Sequence, residues 1–398
     1  KEDIVDFAWT AWPGYAVYKD KWKDVTITLL SPPERQNQVA RQFTAIKHAL
    51  EYLNEKVGPY PWPYVTIVDP PAIGSGSDGM EYTTMFTSSS FYNVPTGIRM
   101  PEMVTVHEFG HAYFMGILAT NEFEEPWMDE GINSFWEERI IDNYYGENSG
   151  LIDFPLLKIS DKALSRSSYA TSGSRSLISN NENSWSYPND TYSMMSYNKS
   201  SVWLYTLMAL VGEETMDNIF REYYNKWAFK HPCAKDFIAI VNDVVKEDHG
   251  NKFGTDLNWF FDQTLYGTGI CDYRLISIEN LKSEEKSESD TVTLENTTRS
   301  IIKVARDGDV KLPVTVQFKF ENGSEELKEW DGKERYHEWT FIDKGNVIAA
   351  IIDPEYKMRL DVNFINNSLV LKPDRVPLKT FRSKAFIIVQ FLVSMILI

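Results

Sequence analysis

The run His107-Glu108-Phe109-Gly110-His111 sets two imidazoles four residues apart. Eighteen residues then separate His111 from Glu130, which sits in Trp127-Met128-Asp129-Glu130-Gly131. Residues 102–118 read as a helix, and on a helix positions four apart lie on one face, one turn apart. Both imidazoles can therefore reach one metal ion. Glu130 comes from a second predicted helix over 128–144 and supplies a third ligand. Two nitrogen donors, one oxygen donor and one open position form the donor set of a catalytic zinc. Glu108 lies beside the ligand face, where it can hold and deprotonate a water without binding the metal. The expectation is one Zn2+ per chain on His107, His111 and Glu130, with Glu108 as the general base of metal-assisted peptide-bond hydrolysis. Only six histidines occur in 398 residues, and His48, His231, His249 and His337 lack ligand spacing and read as ordinary polar residues.

Two further roles need residues. Glu137 follows Glu130 by seven positions, two helical turns on and on the same face, so it is a candidate partner for a zinc-bound imidazole. The competing reading of Glu137 is a solvated acidic position. A tetrahedral intermediate also needs an oxyanion donor, which a tyrosine hydroxyl can be. With twenty-one tyrosines, composition alone selects none of them.

These side chains must be positioned by regular elements. Residues 23–30 alternate and read as a strand. Val39, Phe43, Ile46, Leu50 and Leu53 form one apolar helical stripe over 34–57, which Gly58 closes. Residues 59–63 are a proline-rich connection, 64–68 a β-branched strand, 72–79 a glycine/serine loop and 80–87 an edge-like strand. Beyond the metal helices, 150–190 mixes helix with a Ser/Asn-rich loop. Residues 197–211, 215–227, 233–247 and 256–265 read as helices, and Gly267-Thr268-Gly269 ends the helical region. From Asp272 the texture changes to short alternating runs at 273–281, 292–296, 310–321, 337–342, 347–353 and 358–364. Six strands at that spacing suggest a β-sandwich of about 100 residues. The stretch 282–290 is the most polar and reads as a loop.

Composition bounds the class. A content of 43% hydrophobic and 14% aromatic residues belongs to a folded chain, and 398 residues allow two or three domains. Forty basic against 57 acidic residues give a formal charge of −17, which argues against nucleic acid as a partner because phosphate binding needs Lys/Arg patches. Cys233 and Cys271 lie outside CxxC spacing, and free thiols are favoured over a pair. Residues 385–398 are apolar except for Gln390 and Ser394. Fourteen residues fall short of the roughly twenty that span a bilayer. This tail reads either as the first part of a membrane helix or as an amphipathic helix docked on the protein, so membrane association through it is a candidate interaction.

The zinc spacing, the Trp127–Gly131 context and the upstream Asp78-Gly79-Met80-Glu81-Tyr82 together resemble the M1 family of zinc aminopeptidases, the gluzincins, whose upstream motif is Gly-Ala-Met-Glu-Asn. The resemblance covers roughly residues 1–272. It implies an α+β fold: a thermolysin-like, mostly helical catalytic domain with a small sheet over 1–271, then a small β-sandwich accessory domain over 272–370. A basic linker and apolar segment over 371–398 would follow. It also implies zinc-dependent release of N-terminal residues from peptides. Glu81 would bind the free α-amino group, and Gly79 and Met80 on the strand edge would hydrogen-bond the peptide in β fashion. Tyr197, in Tyr197-Asn198-Lys199-Ser200, would be the oxyanion donor, with Tyr192 as second choice.

The sequence departs from the family pattern at Asp78, Tyr82 and Asn198. The family's large N-terminal β domain and C-terminal helical domain have no counterpart expected here, which predicts a more open site. Two alternatives stand beside the aminopeptidase: a thermolysin-type endopeptidase or oligopeptidase, and a catalytically silent peptide-binding scaffold. Retention of His107, Glu108, His111 and Glu130 together argues against the scaffold.

Overall fold

Residues 25–31 alternate between buried and half-buried along their whole length, the pattern of a strand with one face on a core. In the computed structural model, which describes residues 4–89, 93–155, 157–188, 191–282, 298–372 and 376–396, this run is β2 (Val25–Ser31). It pairs antiparallel with β1 (Ala16–Trp22). The predicted strand over 23–30 is therefore a turn plus one arm of a hairpin. Lys23 takes a left-handed φ of 48° in that turn, as two-residue hairpin loops require. Helix α1 (Gln36–Lys56) carries the chain from β2 to β3 (Tyr64–Val68), which runs parallel to β2. The expected single strand over 80–87 is another hairpin, β4 (Met80–Tyr82) and β5 (Met85–Thr87). The sheet order is β1-β2-β3-β5-β4, so β4 is an edge strand. Gly58 ends α1 for a packing reason: a Cβ there would lie 2.5 Å from the Tyr224 ring.

Helix α2 (Met100–His111) packs between α1 and α3 (Ile132–Tyr145). Arg41 of α1 grips Glu102 of α2 with two bonds of 2.7 Å. On α3, Arg139 is buried against Trp136 and pairs with Asp217 at 2.8 Å; Lys56 takes the other Asp217 oxygen at 3.0 Å. Breaking such a buried pair by removing one partner costs about 3–5 kcal/mol. A Cβ on Gly110 would lie 1.9 Å from Asn133 Oδ1, and Asn133 Nδ2 donates to the His107 carbonyl at 2.8 Å. The glycine inside the histidine motif thus lets α3 touch α2.

A short hairpin, β6 (Ile152–Phe154) and β7 (Leu157–Ile159), leads to α4 (Asp161–Thr171). Four more helices complete this region: α5 (Ser200–Val211), α6 (Glu213–Trp227), α7 (Ala234–His249) and α8 (Asn258–Thr264). Their core is aromatic. Trp127, Trp136, Trp203, Phe135, Phe220 and Phe237 are fully buried, with ring centroids 5.3 Å apart for Trp127–Trp203 and 5.1 Å for Trp136–Phe220. Truncating one of these rings to alanine would cost roughly 3–5 kcal/mol.

The chain divides into two compact units, Lys1–Thr268 and Gly269–Ile398, with the boundary inside Gly267-Thr268-Gly269. The second unit holds β8 (Tyr273–Lys282), β9 (Thr298–Arg306), β10 (Val314–Phe320), β11 (Glu325–Trp330), β12 (Tyr336–Ile342), β13 (Val347–Ile352) and β14 (Ser368–Val370). These form a four-stranded sheet β11-β10-β13-β14 and a three-stranded sheet β12-β9-β8, each antiparallel throughout. Phe318 and Phe320 of one sheet meet Phe341 of the other at 5.0 and 5.2 Å, which makes a β-sandwich core. The fold class is α+β. The predicted strand 292–296, and all of the polar loop 282–290 after its first residue, lie outside the described residues. Residues 358–364 form turns, not a strand; Met358 and Leu360 are buried there without a ladder.

Cys233, exposed in the first unit, and Cys271, buried in the second, are free thiols. The C-terminal tail belongs to helix α9 (Val376–Ile396). Among the described residues no helix is long and apolar enough to cross a membrane, so the membrane-helix reading of the tail gains no support. Among the described side chains of α9, Leu378, Phe381, Phe386 and Val389 stand exposed.

Candidate active site

Three π-helical turns interrupt what the sequence predicts as plain α-helix, and each adjoins or carries a candidate site residue. Ala112–Ile117 follows His111, Trp127–Gly131 contains Asp129 and Glu130, and Met194–Lys199 contains Tyr197. Single π turns widen a helix locally and recur at functional sites. Gly131 is needed where the last two turns meet, since a Cβ there would lie 2.2 Å from Ser200 Cβ.

Together these elements gather three donor atoms. His107 Nε2, His111 Nε2 and Glu130 Oε2 form a triangle with all three sides 3.3 Å long. Donor atoms of a tetrahedral zinc with bonds of about 2.0–2.1 Å lie about 3.3–3.4 Å apart. The residues present therefore fit the ion without rearrangement. Each imidazole is braced through its other nitrogen: His107 Nδ1 bonds Glu137 Oε2 at 2.8 Å, and His111 Nδ1 bonds Asp129 Oδ1 at 2.5 Å. Such bonds fix the tautomer that turns Nε2 toward a metal.

The electrostatics ask for a cation at this point. Desolvation drives both imidazoles toward neutrality, yet the surrounding carboxylates prevail and raise both well above the ordinary histidine range. Glu130 moves the opposite way. Burial raises its carboxyl, but the two imidazoles hold it well below the usual carboxylate range. Glu108 is buried, and its Oε2 has no hydrogen-bond partner. Burial pushes its carboxyl up to about 7, with His107 and His111 opposing and Glu81 and Glu130 adding to the rise. That is a carboxylate able both to take and to return a proton near neutrality.

Tyr197 reaches the same cluster. Its hydroxyl donates to Glu130 Oε1 and its ring stacks on His107 at 5.7 Å. Burial and the Glu130 charge raise its ionisation far above the ordinary phenol value, so it stays protonated and remains a donor. Tyr192 packs edge-on against Tyr197 at 6.3 Å.

Glu81, on edge strand β4, is buried. Its carboxylate comes within 4.8 Å of donor atoms of Asp129 and Glu130, and likewise of Glu108 and His111. Burial raises its carboxyl, His111 opposes, and Asp129 and Glu130 add to the rise. Gly79 has a left-handed φ of 60°, and a Cβ there would sit 3.3 Å from Glu108 Oε1. Met80 is more than one-third exposed on the open edge.

Three acidic residues near the cluster were not singled out in the sequence. Asp129 braces His111. Glu122 carries a carboxyl raised to about 7 by burial, with Asp129 and Glu81 adding to it. Asp161, at the start of α4, faces Glu137; burial and then Glu137 raise its carboxyl well above the ordinary range. Asp129 adjoins Glu130, but adjacency on a helix gives it no reason to reach His111.

The arrangement can bind a divalent metal, move a proton beside it, donate a hydrogen bond to a nascent oxyanion and pair with a cationic chain end. That is the equipment of a metal-dependent peptidase. The family description "Peptidase family M1 domain" matches residues 41–266, more than half of the chain. The chain belongs to peptidase family M1. Among its curated relatives, Leucine aminopeptidase 2 of Yarrowia lipolytica is 26% identical over 223 residues, 54% of this chain and 33% of that protein. The Leukotriene A-4 hydrolase homolog of Botryotinia fuckeliana is 28% identical over 227 residues, 56% of this chain and 33% of that protein. The chain thus spans about a third of the length of these relatives. Legionella pneumophila aminopeptidase A, solved in complex with aspartic acid, superposes with a TM-score of 0.62 at 13% identity, covering 87% of this chain and 38% of that one. That likeness is one of fold.

Proposed function

We propose that the chain is a zinc-dependent aminopeptidase that releases the N-terminal residue of peptides. The observation that carries the reading is the 3.3 Å triangle of His107, His111 and Glu130 donor atoms, with the unpartnered Glu108 carboxylate beside it and Glu81 within reach. His107, His111 and Glu130 would hold the zinc. When bound, zinc supplies Lewis acidity for the scissile carbonyl and for water. The chain's own residues do the rest. Glu108 takes a proton from water and returns it to the departing amine nitrogen. Tyr197 Oη donates to the oxyanion. Glu81 pairs with the substrate ammonium, which sets the cut one residue from the chain end. The M1 relatives named leucine aminopeptidase support the exopeptidase assignment.

The test is a fluorogenic peptide panel with free and acetylated N-termini, run with and without chelator. Free-amine peptides should be cleaved, chelator should abolish the activity and added zinc should restore it. Acetylation leaves Glu81 buried without its partner, a loss of about 2–5 kcal/mol. Glu81→Ala should therefore cut kcat/KM for free-amine peptides far more than for acetylated ones. Equal cleavage of blocked and unblocked peptides at internal bonds would move the protein to the thermolysin-type endopeptidase reading. Zinc binding without cleavage of any peptide would favour the silent scaffold.

A further inference from the structure

The metal-ligand cluster has two flanks. Glu81 gathers with His111, Asp129 and Glu130 on one. On the other a cavity of about 290 Å³ opens beside His107, Glu108 and Tyr197. Its remaining walls include Met103 and Val104 of α2, Ser134 and Glu137 of α3, and Asp161 and Ser165 of α4. Asp161 and Ser165 are one turn apart on α4 and so face the same way. Among the described residues no lysine or arginine lines the cavity. Glu137 is buried, its Oε2 is engaged by His107, and its carboxyl meets that of Asp161. Lys162, the neighbour of Asp161, is committed to Asp142 and Glu147.

A peptide whose ammonium sits at Glu81 crosses the ligand triangle at its first carbonyl. It then continues past Glu108 toward the His107 flank. The residue beyond the scissile bond meets this cavity. Resting on the aminopeptidase reading, we propose that the cavity receives the side chain of that second residue and selects a cationic one, lysine or arginine. The walls match such a side chain in sequence. Met103 and Val104 offer apolar surface to the methylene stem, and Ser165 and the Asp161–Glu137 carboxyl pair offer acceptors to the charged head. Long cationic side chains bury their stems on apolar surface in this manner. A glutamate side chain would add a further acid beside the Asp161–Glu137 pair, with no cationic side chain among the lining residues to meet it, and is rejected.

The experiment uses free-amine tripeptides Leu-Xaa-Ala with Xaa lysine, arginine, norleucine or glutamate, scored by released leucine. Lysine and arginine should exceed norleucine roughly tenfold in kcat/KM, the scale of one well-placed side-chain contact, and glutamate should fall below norleucine. Asp161→Asn should bring the lysine-to-norleucine ratio toward one. Ser165→Lys should invert the order of lysine and glutamate, and it stands as the second variant if Asp161→Asn does not fold. The same order should appear in calorimetric binding of the four peptides to the Glu108→Gln variant, a readout that needs no turnover. Cleavage of all four peptides at similar rates would overturn the cavity proposal and leave the aminopeptidase reading intact. So would ratios that neither variant moves. If no peptide is cleaved, the aminopeptidase reading fails and the binding order alone decides: flat binding overturns the proposal, and lysine and arginine binding ahead of norleucine sustains it.

Discussion

His111 and His107 are braced by carboxylates of unequal depth. The His111–Asp129 pair is sealed, with each side chain only 1% exposed and the bond 2.5 Å long. The His107–Glu137 pair is looser, 2.8 Å long with His107 13% exposed, and it borders the cavity. Their origins differ too. Asp129 precedes Glu130 in the same π turn, so one turn sets both a ligand and the brace of another ligand. Glu137 acts from α3, two helical turns further on, and also meets the Asp161 carboxyl. A buried bond in a low-dielectric setting is electrostatically stronger and harder to replace by water. On the proposed zinc reading, the sealed flank would set the metal geometry, and the open flank would be where substrate varies.

The largest expected effect ignores that difference and tests the centre both flanks serve. Glu108→Gln should keep zinc and lose turnover by about 10²–10⁴, since glutamine preserves shape but cannot accept a proton. Metal analysis alongside peptide turnover checks it; a variant retaining more than about a tenth of the rate, a loss under ~1.4 kcal/mol, would remove Glu108 from the role. His111→Ala should lose the metal itself. Next in size, Tyr197→Phe should lower kcat by roughly 10²–10³ with KM little changed, the cost of one oxyanion donor. If Tyr192→Phe shows that pattern and Tyr197→Phe does not, the oxyanion donor is Tyr192, and Tyr197 only packs against His107 and Glu130.

How far the sequence reaches follows the same division between local and tertiary causes. The spacing of His107 and His111 is local, set by one helical turn, so their convergence is legible. Glu137 is legible by the same period. Asp129 is not, because in a plain α-helix neighbouring residues point about 100° apart; the π turn that brings Asp129 behind His111 leaves no mark in composition. Asp161 and Glu122 approach the cluster only through tertiary packing. Glu81 and Tyr197 were reached through family resemblance and not through spacing. In the fold, the apolar stripe of α1 and the β-branched run of β3 were readable. Strand β11 was not, for it is an edge strand written with charges, as exposed edges usually are. The alternation at 358–364 misled for the opposite reason: turns can bury every second residue without a ladder.

The smallest expected effect bears most directly on the two braces. Asp129→Asn and Glu137→Gln each keep an oxygen that can accept from imidazole Nδ1 and each lose a charge. Removing the charge weakens the ligand's basicity, and changes of this kind typically cost 10–100-fold in metal affinity. The sealed pair has no water to substitute for the lost charge, so Asp129→Asn should fall near the upper end of that range and Glu137→Gln near the lower. Zinc affinity from competition with a chelator, at fixed pH and ionic strength, reads both. Equal losses would mean that burial does not separate the flanks, and a larger loss for Glu137→Gln would reverse the comparison. The double variant sharpens it further. Distant, independent sites add within about 0.3–0.5 kcal/mol. The two braces act on different imidazoles of one ion, so their losses should add if the flanks are independent. A double variant no worse than Asp129→Asn alone would mean that the sealed flank already dictates where His107 can sit.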